Sequence, residues 1–119
     1  MRQCKFIFVE NKGKTLDFRC GNVIMHEDML NPKERGCVVV NGGGLFEIKP
    51  DTKEIFFWGK SFDFGYVPEI EKTCKKYYNQ IMQELADFWY FNHEEELNMD
   101  EFSLYYRDEL GEKHLIKKQ

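Results

Sequence analysis

Apolar spacing in this chain changes period at Pro68, and that change does more than any other feature to limit the folds open to it. Downstream, Ile70, Cys74, Tyr77, Tyr78, Ile81, Met82, Leu85, Phe88 and Trp89 recur three or four positions apart, the spacing of one apolar face on a helix. Pro68 suits the first turn of that helix, and Glu69 and Glu71 complement the positive end of its dipole. Upstream, the apolar residues come in short runs at 5–9, 15–19, 37–40, 45–49 and 54–58, separated by polar stretches such as 10–14 and by the Pro50-Asp51-Thr52-Lys53 turn. Such runs predict strands of a largely antiparallel meander. The expected fold class is therefore α+β, a small, mostly antiparallel sheet packed by one long helix.

Two stretches remain less regular. Asn22 to Met25 reads as a strand end that passes through His26 and Asp28 into a short helical or turn segment, which stops by Gly36. At the other end, Asn92-His93-Glu94-Glu95 has the layout of a new N-cap with a glutamate three residues on, so the long helix is expected to end near Phe91. Phe102, Tyr105, Tyr106 and Leu110 then repeat at helical spacing, with Gly111 as a cap. A strand pair around Asp108–Glu112 is the competing reading. No repeat or linker divides the chain, which reads as one domain over residues 1–119 with an acidic, aromatic C-terminal extension at 92–119.

At 119 residues, 42% apolar and 16% aromatic, the chain can bury a sizeable core. No stretch approaches the ~18 uninterrupted apolar residues that span a bilayer, and Met1-Arg2-Gln3-Cys4-Lys5 lacks the apolar segment of a signal peptide. The expectation is a soluble, cytoplasmic protein without membrane association. Cys4, Cys20, Cys37 and Cys74 are scattered, with no zinc-type spacing, so reduced and mostly buried thiols are expected. Residues 84–112 hold ten carboxylates against Arg107, while the remainder carries sixteen Lys and Arg against eleven acids. That asymmetry argues against wrapping a nucleic-acid backbone, and it leaves an acidic face that is either solvated surface or a dock for a basic partner.

The candidate chemistry centres on glycine. Gly42-Gly43-Gly44 follows Val38-Val39-Val40, and Gly59-Lys60-Ser61-Phe62-Asp63-Phe64-Gly65 lies fifteen residues further on. Without Cβ atoms, backbone amides can approach an anion closely, though a glycine run between strands can equally mark a bulge or a close backbone crossing. Gly59-Lys60-Ser61 is not a P-loop, because that motif needs glycine where Glu54 stands. His26, beside Glu27 and Asp28, has the residue type for proton transfer near neutral pH. A metal centre from these three neighbours is disfavoured, because adjacent residues do not point the same way. His93 and His114 read as surface residues.

These elements together resemble the Janus/Ocnus family of phosphohistidine phosphatases over roughly residues 5–78. The resemblance rests on Lys5 heading the first strand, His26 with Asp28 two positions on, the Gly36-Cys37 turn, the glycine triplet, the strand 53–58, and Gly59, Ser61 and Gly65 before a helix. It implies a small α/β sandwich that binds phosphate through Lys5, loop amides at Gly42, Gly43 and Gly44, and the loop of Ser61 and Asp63. It also implies His26 as a general base that activates water without metal, cofactor or covalent intermediate. Leu45 stands where the family has an arginine after the triplet, and Glu69 replaces a histidine in the segment that opens the helix.

Two functions follow as expectations. The first is a non-catalytic binding, inhibitor or accessory protein that takes a protein partner or a small phosphorylated ligand, through the glycine loops or through the acidic face at Glu94, Glu95 and Glu96. The alternative is a metal-independent phosphohistidine or phosphoramidate phosphatase using His26.

Overall fold

The computed structural model describes residues 1–11 and 15–118. The turn expected to close at Lys12-Gly13-Lys14 lies outside the described residues. Six strands form one sheet: β1 (Gln3–Glu10), β2 (Leu16–Val23), β3 (Val40–Lys49), β4 (Glu54–Trp58), β5 (Ser103–Arg107) and β6 (Lys113–Ile116), in the order β2-β1-β3-β4-β5-β6. All neighbouring pairs are antiparallel except β4 and β5, which are parallel. The class is thus α+β with a mostly antiparallel sheet, as the apolar patterning implies. Among the described residues, no helix is long and apolar enough to cross a membrane.

Helices α1 (Ile70–Lys76) and α2 (Tyr78–His93) replace the one long helix expected. Tyr77 leaves the helical region (φ −104°, ψ 21°), yet its amide still bonds to Thr73 and its carbonyl accepts from Ile81, so the two segments join with little interruption. The apolar stripe packs on the sheet as predicted. Ile81, Leu85 and Cys74 are fully buried against Phe6, Phe8, Phe57, Ile55 and Leu104. Phe6 stacks on Phe57 with centroids 4.4 Å apart, and Phe18 lies 5.7 Å from each of them. Such aromatic packing stabilises a core beyond its buried area. Gln80 and Tyr77 bond to the outward-pointing main chain of Leu16 and Phe18, covering part of the open edge of β2.

Residues 102–110 do not form a helix. Their apolar spacing is met by β5, the Asp108–Gly111 turn and β6, so the competing strand-pair reading holds. Tertiary pairing overrides the local period here: Tyr105 lies in register with Phe56 and stacks on it at 5.3 Å. Those strands complete the sheet.

Residues 37–40 also depart from expectation. Cys37 and Val39 are exposed, and β3 begins at Val40, because the backbone at 34–38 is spent on turns such as Cys37 N–H to Glu34 O at 2.8 Å. The cysteines are free, but Cys74 alone of the four is buried.

The glycine triplet lies inside β3 rather than at a strand end. Ile7 pairs with Gly43 and Val9 with Val40, which places an extra residue in β3, and Gly42 takes up the bulge at φ 80°. A Cβ on Gly42 would lie 2.2 Å from Tyr66 O, on Gly43 2.3 Å from Phe6 O, and on Gly44 2.6 Å from Trp58 O. No side chain fits, because each obstacle is main chain.

Gly43→Ala should therefore lower stability by about 2–3 kcal/mol, the range for overpacking in a rigid core. Gly36→Ala, at φ 80° with open space around it, should lose about 1 kcal/mol from backbone strain alone. Urea unfolding of both variants checks this, and equal losses would mean that the main-chain contacts are not what demands glycine.

Candidate functional site

Helices cover one face of the sheet. The other face is covered over β1 and β2 by residues 24–39, anchored where Leu30 packs on Ile7 and Val9. Arg19 on β2 clamps this segment with two bonds of 2.7 Å to the Glu34 carboxylate and a third to Met29 O. The Arg19 guanidinium holds the Glu34 carboxyl down at about 2. At the start of the segment a 3-10 turn, His26–Met29, sets His26 against the sheet, and the Asp28 carboxylate accepts from the Met25 amide at 2.9 Å to hold that turn. Asp28 thus has a structural task beside the histidine.

His26 is 3% exposed, and its Nε2 lies 2.9 Å from Gly44 O. Its ring passes over Gly43, where a Cβ would come within 3.1 Å of Cδ2. The triplet therefore makes the seat for the imidazole. Because a carbonyl oxygen can only accept, Nε2 carries the proton of the neutral ring and Nδ1 keeps its lone pair. Nδ1 has no partner among the described residues. It is not sealed from solvent either, since among the described residues the one fully enclosed side-chain polar atom without a partner is Trp89 Nε1. Burial lowers the His26 pKa, the neighbouring Lys5 charge lowers it further, and the Gly44 bond and the Asp63 charge oppose the shift.

Lys5 and Asp63 thus lie close enough to His26 for their charges to be felt. Lys5 is 9% exposed and donates to Ile24 O. Among the described residues it forms no ion pair with a carboxylate, which is unusual for a buried ammonium. Asp63 accepts from the Glu27 amide at 3.2 Å, linking the serine loop to the histidine turn. Directly across from Lys5 on β3 stands Leu45.

Ser61 does not present its oxygen outward. It is 1% exposed, and Oγ accepts from the Asp63 and Phe64 amides at 3.2 and 3.0 Å, so it clasps its own loop. The Gly43 amide donates to Gly65 O at 3.1 Å. The loop also bonds across itself between Ser61 and Gly65. Sequence spacing thus brings Lys5, His26, Gly42, Gly43, Gly44, Ser61 and Asp63 into one region, with much of their donor capacity already committed. The carbonyls of Ile24, Gly44 and Gly65 organise that region, and side-chain identity gives no signal for backbone oxygens.

Glu94, Glu95 and Glu96 are exposed beyond α2, far along the chain from this cluster. Glu94 ends the helix in the left-handed region at φ 54°, its amide bonded to Tyr90 O at 2.7 Å. His93 stacks on Trp89 at 3.7 Å, and His114 bonds to Asp108 at 2.8 Å. Asp108 raises the His114 pKa.

In a proton NMR titration, His26 should titrate below and His114 above the ordinary ~6.5. For His26 the unfolded chain takes up its proton first, so the contribution to stability is lost as pH falls below ~6.5 toward the lowered native value. His114 acts with the opposite sign. In a His114→Gln background, urea midpoints should therefore fall between pH 7 and 5.5, and a flat profile would exclude a depressed His26.

Comparison of the chain with protein-family models, with curated proteins and with solved structures finds no match.

Proposed function

We propose that this chain is a small binding protein on a Janus-like scaffold, which holds a phosphoryl group at Lys5, beside His26, without hydrolysing it. One observation carries the reading: Lys5, a residue only 9% exposed, has no carboxylate partner among the described residues and stands beside a histidine that burial keeps neutral. Buried charges are ordinarily paired, and an anion would complete this one. Phosphate, free or on a protein side chain, supplies both the charge and the acceptor oxygens. The free thiols fit the reducing, cytoplasmic setting expected for such a protein.

Turnover would demand more from the site. A phosphoryl transition state is stabilised by donors already aimed at the charge that develops. Here Ser61 is 1% exposed with its Oγ turned to the amides of its own loop, the Gly43 amide is taken by Gly65 O, and the position opposite Lys5 is the aliphatic Leu45. Glu69, exposed before α1, brings negative charge where the resemblance implies a histidine. Hydrolysis of N–P bonds is the second reading, and the His26 tautomer favours it, because a lone pair on Nδ1 is what a base needs to orient water.

Inorganic phosphate should bind in calorimetry and in 31P NMR titration. Lys5→Met should weaken binding at least about tenfold, the scale of one lost charge-assisted bond, with far-UV circular dichroism unchanged. Phosphoramidate with EDTA present should not be turned over above the buffer rate. Equal phosphate affinity in Lys5→Met, or no binding at all, overturns the anion reading. Turnover that His26→Ala abolishes replaces it with the hydrolase.

A further inference from the structure

A second concave region lies on the helix side of the sheet, well separated in sequence from Lys5 and His26. There the chain leaves α2 at Glu94 and folds back along it through residues 96–100, leaving an open groove of about 600 Å³. Two helical rows form its floor. Tyr78, Met82 and Tyr90 belong to one row at four-residue spacing, with the small Ala86 between them, and Asp87 belongs to the next. The returning segment supplies the opposite wall, fixed by the Asn98 side chain accepting from the Asp100 amide at 3.2 Å.

The ionisable carboxylates on this groove are Asp87, Glu96 and Asp100, and none of its lining residues is Lys, Arg or His. None of the three carboxylates forms an ion pair among the described residues, where acids elsewhere do find partners, as Glu34 does with Arg19 and Glu54 with Lys113. Burial raises the Tyr78 pKa and the nearby Asp100 charge adds to it, and both residues line the groove. Tyr90 is half exposed at the far end. Unpaired carboxylates around tyrosine rings and a methionine floor match one ligand chemistry, a cation with a flat or apolar body.

We infer that this groove docks a cationic peptide segment of a partner protein, with arginine preferred over lysine. A guanidinium can stack on a tyrosine face while its edge donates two bonds to one carboxylate, whereas an ammonium offers only a point charge. From Tyr78 to Tyr90 the helix runs about 18 Å, the length of an extended segment of roughly five residues. The groove is independent of the anion reading, since it shares no residue with the Lys5 and His26 cluster.

Fluorescence anisotropy with labelled octa-arginine, octa-lysine and octa-glutamate tests this at low and moderate salt. Octa-arginine should bind most tightly and octa-glutamate not at all. The triple variant D87N/E96Q/D100N should lose affinity for octa-arginine at least about tenfold and show a shallower salt dependence. Tyr90→Ala should lose about two- to fivefold, the scale of one exposed cation–π contact. Neutralising Asp51, Glu71 and Glu112, which lie outside the groove, should change affinity less than about twofold. If that control matches the triple variant, binding is diffuse attraction to an acidic surface and the groove is not a dock. Equal affinity for octa-lysine and octa-arginine, no binding, or self-association of the chain abolished by Tyr90→Glu would each overturn the proposal. Unchanged peptide affinity in Lys5→Met keeps this result separate from the fate of the anion site.

Discussion

The main chain of β3 at Gly42, Gly43 and Gly44 touches three other stretches of main chain at distances that exclude any Cβ, and the open-face architecture depends on those contacts. Phe6 O belongs to β1, Trp58 O to the end of β4, and Tyr66 O to the chain just after the serine loop. One short segment therefore sets the spacing between the hydrophobic sheet and the loops above it. The imidazole of His26 lies against Gly43, where a Cβ would come within 3.1 Å of its Cδ2, and its Nε2 proton is directed to Gly44 O. Close-packed interiors transmit such constraints, so the triplet acts on the histidine as well as on the sheet.

The sheet also separates charge. Lys5 alternates with Phe6 along β1, so its ammonium emerges on the face opposite the phenylalanine cluster, where His26 and the serine loop gather. On the open part of the same face, Lys49 and Arg107 lie over the Phe56 ring at 5.3 and 4.6 Å, and Lys113 over Tyr105 at 4.6 Å. Their aliphatic stems cover aromatic surface that no helix reaches. Across the sheet, the carboxylates of α2 and the segment after it have no such counter-charges among the groove-lining residues. The charge asymmetry between the two parts of the sequence thus becomes an asymmetry between surfaces.

What could be read from the sequence was whatever depends on local period. Short apolar runs marked β1, β2 and β4, and the three-to-four spacing after Pro68 marked the face that α1 and α2 bury, although Tyr77 divides them. Residues 102–110 misled because tyrosines and a phenylalanine at helical spacing suit a strand equally well, and only pairing with β4 decides between them. At the site, residue types and spacing brought Lys5, His26, Ser61 and Asp63 to one region. They could not foresee that Ser61 Oγ faces inward to its own loop, because that depends on backbone dihedrals at Gly59 and Gly65, both near φ 75–80°. The groove left still fewer marks, since Tyr78 and Met82 read as ordinary members of the core stripe.

The parallel alignment of β4 and β5 has a consequence for how the chain reaches its native form. Strands β1 to β4 connect through short or moderate excursions, and their pairings are antiparallel. β5 runs beside β4 in the same direction, so the chain must travel back the full length of the sheet through both helices and residues 94–102 before Ser103 can meet Glu54. That pairing closes the longest loop between neighbouring strands, and loop-closure entropy makes it the one expected to nucleate last. Until it forms, the outer edge of β4, with Ile55 and Phe57 in its core-facing row, has no neighbour to pair with. Assembly of the last two strands is then the step that removes an aggregation-prone edge from the folding molecule.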